Sequence, residues 1–174
     1  MALDKNIVLV GMMGCGKSSV SKVLGDLLSE YEVVETDKEI ELIENSSISE
    51  IFRKKGETYF RNCETAFLHQ IKNKRKLIIS CGGGMFIREE NRKLLKTGSV
   101  SFYLSGSAKT LCNRLNGDIS RPLLNCENVE EKIKSFLKER TPYYELADFK
   151  IDTNLKLVED VAKEVMEKFI NYGK

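Results

Sequence analysis

The run Gly11-Met-Met-Gly-Cys-Gly-Lys17-Ser18 satisfies G-x-x-x-x-G-K-[ST] in full, a spacing whose chemistry is the holding of nucleotide phosphates. Gly11, Gly14 and Gly16 let the backbone curl and turn its N–H groups inward with no Cβ in the way. A helix starting straight after Gly16 would add its positive N-terminal end. Lys17 supplies a point charge for the β- and γ-phosphates, and the Ser18 hydroxyl is placed to ligate Mg²⁺. A glycine-rich turn with an incidental lysine would also use these residues. A complete match between an apolar strand and an amphipathic helix makes that the poorer reading.

The elements around this loop follow from hydrophobic pattern. Ile7–Val10 is an apolar, β-rich quartet of the kind buried on both faces of a parallel sheet. Ser18–Ser29 carries Val20, Val23, Leu24, Leu27 and Leu28 at helical spacing. Further strands are expected at Glu32–Thr36, Leu77–Ser80, Ser99–Leu104 and Phe149–Asp152. Helices are expected at Asp37–Ile43, Ser49–Lys55, Thr58–Lys72, Ala108–Leu115, Val129–Glu139 and Val158–Phe169. Alternation of apolar strands with helices implies right-handed βαβ crossovers. The expected fold is therefore α/β, a three-layer α/β/α sandwich on about five parallel strands. Ligands in such sheets sit beyond the carboxyl ends of the strands, so the segments after strands are where chemistry is sought.

Composition narrows the classes. At 174 residues, with 41% apolar residues, the chain fits one ordinary domain over 1–174. Its 28 basic and 26 acidic residues leave a net charge of +2, so no global electrostatic case for nucleic acid or membrane arises. Five cysteines, at 15, 63, 81, 112 and 126, form no CxxC pair and no regular spacing, which reads as reduced thiols rather than a disulfide frame or zinc ribbon. The charge-free run Ile7–Gly16 imitates a signal-peptide core, but it holds three glycines, stops at Lys17 and lacks a cleavage site. It is also far short of the roughly 20 residues that cross a bilayer. A cytoplasmic protein is expected. No guanine-reading N-K-x-D occurs, and a large ATPase would need more chain.

Five further features occur in order: Glu35-Thr-Asp37 after the second strand, Gly56-Glu-Thr-Tyr-Phe60-Arg61, Gly82-Gly83-Gly84 after the third, Arg121-Pro-Leu-Leu124, and Arg140-Thr-Pro142. With the phosphate loop, this set resembles the shikimate kinases, lidded P-loop kinases of the nucleoside monophosphate kinase-like group, from about Ile7 to Asn154. The resemblance implies transfer of the ATP γ-phosphate to the 3-hydroxyl of shikimate, with Mg²⁺ as cofactor, no nucleic-acid or membrane partner, and a monomer. It implies an ATP site at Gly14, Cys15, Gly16, Lys17, Ser18 and Ser19. Arg114 is matched to a residue packing on adenine, and Asn154 to an adenine loop whose next position, often Arg in the family, is Leu155 here. Asp37 matches the second acid of a D-x-D and is implied to contact the reacting hydroxyl and accept its proton. On residue type alone it would serve equally as the N-cap of the next helix.

Glu35 stands where the family has its first Asp, which with Ser80 is implied to hold Mg²⁺ through water. The extra methylene keeps the charge and moves the oxygens. Arg61 and Arg140 match the pair that grips the substrate carboxylate, a task suited to planar guanidinium forks. On type alone each would be a surface ion pair. Gly82, Gly83 and Gly84 are implied to offer bare backbone to the ring, while Phe52 and Phe60 wall the pocket or serve only as core. The substrate-binding segment is placed at about 37–64 and the lid at about 116–127, with Arg121 reaching the β,γ-phosphates. His69 reads as a solvated histidine and Cys15 as small filler. Two rivals stand beside this reading: another small P-loop kinase such as a gluconate kinase, and a non-catalytic ATP sensor.

Overall fold

The computed structural model describes residues 4–115 and 128–172. Five strands, β1 (Asn6–Val10), β2 (Glu32–Glu35), β3 (Leu77–Ser80), β4 (Ser99–Ser105) and β5 (Phe149–Asp152), form one sheet in the order β2-β3-β1-β4-β5, every pairing parallel. Among the described residues, seven α-helices lie between or after them: α1 (Lys17–Leu27), α2 (Thr36–Glu44), α3 (Ile48–Ile71), α4 (Glu89–Lys96), α5 (Ala108–Leu115), α6 (Val129–Tyr144) and α7 (Val158–Ile170). From β1 the chain moves one way along the sheet to β2, and every later crossover moves the other way. Right-handed crossovers therefore put α1 on one face and α2 to α6 on the other. The contacts agree: α1 packs on α7, α3 on α4, and α5 on α6.

β1, central in the sheet, is buried along its whole length, and Ile7, Val8, Leu9 and Val10 are at most 1% exposed. Each such side chain contributes about 1.5–3 kcal/mol relative to exposure. Two polar groups inside the sheet are satisfied. The Asn6 carboxamide donates to Lys74 O and accepts from Leu77 N, both at 3.0 Å, pinning β1 to the start of β3. Fully buried Ser101 gives its hydroxyl and amide to Asp148 at 2.6 and 2.8 Å.

Three segments depart from the sequence reading. Between the third and fourth strands, where no element is expected, lie a short 3-10 turn (Met85–Ile87) and α4. The sequence of α4, Glu-Glu-Asn-Arg-Lys-Leu-Leu-Lys, holds only two apolar residues, too few for a visible period. α6 does not stop at Glu139 but continues through Pro142 to Tyr144. Pro142 removes one hydrogen bond near the end, while the added turn buries Tyr144 completely. The expected break between 55 and 58 is present as a kink, since Gly56 inside α3 has φ 83° and ψ 168°. α3 begins one residue earlier than expected because Ser47 and Glu50 close a capping box. Among the described residues no helix is long and apolar enough to cross a membrane.

Candidate active site

The phosphate loop leaves β1 at the sheet centre, beyond the carboxyl ends of β1, β3 and β4. Gly11, Gly14 and Gly16 all take positive φ. Gly16 is the N-cap of α1, and no side chain caps that helix, so its first N–H groups are left for an anion. Lys17, 9% exposed, donates to Gly11 O at 2.8 Å and Met12 O at 3.0 Å. Cys15, within the loop, is buried with Sγ 3.6 Å from Lys17 Nζ.

Two clefts open here. The larger, about 600 Å³, runs from the phosphate loop and Ser19 past Arg114 to Thr153, Lys156 and Leu157. The smaller, about 330 Å³, is lined by Phe52, Phe60, Arg61, Glu64, Gly84 and Arg140, among others. Six residues belong to both: Met13, Ser18, Glu35, Asp37, Gly82 and Gly83. A group moving from one cleft to the other must pass Ser18, Asp37 and Gly82. That arrangement suits transfer between two bound molecules.

Asp37 is set there by Thr36, a residue the sequence reading passed over. Buried Thr36 Oγ1 donates to Ser80 O at 3.2 Å and accepts from Gly82 N at 2.9 Å. These bonds tie the start of α2 to the end of β3, and Asp37 is the next residue. A Cβ on Gly82 would collide with Asp37 Oδ1, and one on Gly84 with the Arg61 guanidinium. The glycine run therefore lets a carboxylate and a guanidinium approach the backbone closely. A Cβ on Gly83 would lie 3.9 Å from Arg140 Nη1, so both arginines flank the same three glycines.

Arg61 lies one residue after Phe60, on the arm of α3 beyond the kink. It donates to both oxygens of Glu64 at 2.9 and 3.0 Å and to Glu57 at 2.9 and 3.2 Å. Glu64 is a second residue passed over. Burial pushes its carboxyl up to about 7, although Arg61 opposes this. Arg140, 4% exposed, packs its guanidinium 4.2 Å from the Phe136 ring. Its Nε has no hydrogen-bond partner among the described residues, an expensive state for a buried cation. Phe52 and Phe60 pack on each other at a 47° tilt with centroids 5.1 Å apart and wall the smaller cleft.

Burial alone would raise the Glu35 carboxyl, but hydrogen bonds from Lys38 and Ser18 and the Lys38 and Lys22 charges hold it below the usual range. It is therefore anionic beside the Ser18 hydroxyl, with Lys38 Nζ 2.6 Å away. Arg114 donates to Thr153 Oγ1 and Thr153 O at 3.1 and 2.7 Å, which fixes the far end of the larger cleft. Asn154 does not line that cleft. Its Oδ1 accepts from Ser107 N, and its amide donates to Asp152, while Leu155 points fully into solvent. His69 is half exposed beside Glu90, 3.2 Å away. Arg121 and the expected lid, 116–127, lie outside the described residues.

A family model described as shikimate kinase matches residues 13–170. The chain belongs to the shikimate kinase family. A shikimate kinase of Thermodesulfovibrio yellowstonii is 43% identical over 165 residues, 95% of each chain. Shikimate kinase from Acinetobacter baumannii, solved in complex with shikimate, superposes with a TM-score of 0.92 at 37% identity, covering 98% of this chain and 96% of that one. A gluconokinase from Sinorhizobium meliloti shares the fold, with a TM-score of 0.65 over 97% of this chain and 93% of that one, at 17% identity. Membership in the family makes this shikimate kinase chain an ATP-dependent phosphotransferase acting on an alcohol group.

Proposed function

We propose that the larger cleft holds ATP, the smaller cleft holds shikimate, and the γ-phosphoryl passes to the shikimate 3-hydroxyl where the clefts meet. The observation that carries this reading is the shared boundary at Ser18, Asp37, Gly82 and Gly83, with two guanidinium groups flanking the glycines of the acceptor side. The phosphate loop and Lys17 cradle the β,γ-phosphates, and Lys17 turns from loop carbonyls to phosphate oxygens. Asp37 receives the hydroxyl proton as the oxygen attacks. Arg61 and Arg140 hold the acceptor carboxylate, Gly83 and Gly84 lie along its ring, and Phe52 and Phe60 exclude water. Arg121 is assigned to the phosphates. Phosphoryl transfer through a loose transition state leaves the protein mostly positioning and charge neutralisation to perform.

The residues fit a Mg²⁺ ion. A hydroxyl and an anionic carboxylate stand together at the phosphate end of the boundary, both hard oxygen donors. Ser18 would bind it directly, and Glu35 and Ser80 through water. When bound, the ion neutralises phosphate charge and orients the γ-phosphoryl.

A coupled assay of ADP release across shikimate, gluconate and nucleoside monophosphates tests the assignment. Turnover confined to shikimate supports it. Preference for gluconate or a nucleotide, or ATP binding with no turnover on any acceptor, would overturn it.

A further inference from the structure

Tyr144 lies at the end of α6, one helical turn beyond Arg140 and two beyond Phe136, on the same stripe. It is completely buried, and its ring packs on Tyr103 with centroids 5.2 Å apart. Burial raises its phenol well above the usual range, against the opposing charge of Arg140, so the hydroxyl is neutral and can both donate and accept. It donates to Gly83 O, and the Arg140 charge acts on it from one turn earlier in the helix. A phenol has one hydrogen to give, and here Gly83 O receives it. Buried hydroxyls persist in such positions when they are hydrogen-bonded.

We propose that Tyr144 is a positioning residue for the acceptor site, its hydroxyl fixing the Gly83–Gly84 peptide plane. In a trans peptide the N–H points opposite to the C=O. With Gly83 O drawn toward the buried Tyr144 hydroxyl, the Gly84 N–H is turned away from the core, toward the cleft that Gly83 and Gly84 line. A glycine pair has wide backbone freedom, so an external tether is what holds this plane. One hydroxyl thus sets the direction of a backbone donor that faces the acceptor beside Arg140. This inference rests on the smaller cleft being the shikimate site.

The test is Tyr144→Phe, which keeps the ring contact with Tyr103 and removes only the hydroxyl. The expected result is a KM for shikimate raised about tenfold, the factor of one such hydrogen bond, with KM for ATP and kcat within twofold. Wild-type protein provides a second readout that does not depend on the variant folding: the Gly84 amide resonance should shift on shikimate titration and not on titration with ATP alone. An unchanged shikimate KM in a folded Tyr144→Phe protein, or a Gly84 amide indifferent to shikimate, would overturn the proposal. Equal rises in both KM values would also overturn it, because they mark a general loosening. If wild-type enzyme does not phosphorylate shikimate at all, the functional assignment fails instead, and the two failures are separate.

Discussion

Arg61 donates from a single nitrogen, Nη1, to both carboxylate oxygens of Glu64, at 2.9 and 3.0 Å, and Glu64 is fully buried. The other side of the guanidinium reaches Glu57, whose side chain is about half exposed. One partner is therefore permanent and the other replaceable. Glu64 holds the arginine from behind, and in the proposed complex the substrate carboxylate displaces only Glu57.

The buried carboxyl makes stability depend on pH. Glu64 titrates at about 7 when folded and near its ordinary 4.5 when unfolded, so folding takes up a proton between those values. The stability it contributes is complete below about pH 4.5 and is lost as pH rises through 7. The window corresponds to about 3 kcal/mol. Urea unfolding of wild type and Glu64→Gln from pH 4.5 to 8 should show their difference changing by that order and in that direction. Parallel curves would remove the buried titration.

Asp37→Asn should lower kcat by about 10²–10⁴, the usual contribution of a positioned base, while ATP affinity holds within a few-fold. An amide keeps the shape beside Gly82 and cannot take a proton. A parallel fall in ATP binding would place Asp37 with the metal or the fold.

Removing either arginine should weaken shikimate binding by about 2–5 kcal/mol, because the acceptor carboxylate is left poorly compensated. The two variants should differ in stability. Arg61→Ala strands buried Glu64 and lowers the melting temperature, whereas Arg140→Ala removes a cation whose Nε lacks a partner among the described residues and costs less. Thermal melts check the order, and Arg140→Ala melting below Arg61→Ala would contradict it.

What local sequence carries, it shows clearly. β1, the loop and α1 are legible because an apolar quartet, a complete glycine pattern and a helical period follow one another. Gly56 marks the kink by residue type. The sheet order has no local signal, since β1 pairs with strands some 70 and 90 residues away, and α4 is too polar to show a face. The same limit applies to the site. Asp37, Arg61 and Arg140 are matched through motifs, but Thr36, Glu64 and Tyr144 matter through bonds spanning up to 61 residues or through burial. A threonine, a glutamate and a tyrosine carry no mark of such partners in sequence. Asn154, matched by position, spends its side chain on Asp152 in its own turn and on the Ser107 amide after β4.

In the proposed reaction, the Arg61 and Arg140 guanidinium groups choose an acceptor bearing a carboxylate. The direct measurement is kcat/KM of the wild-type enzyme for shikimate and for its methyl ester, which keeps the ring and hydroxyls and loses the charge. Losing a charge-assisted contact of about 2–5 kcal/mol predicts discrimination against the ester of about thirtyfold to several thousandfold, falling sharply in the Arg61→Ala/Arg140→Ala double variant. Equal use of acid and ester by the wild type would contradict the clamp.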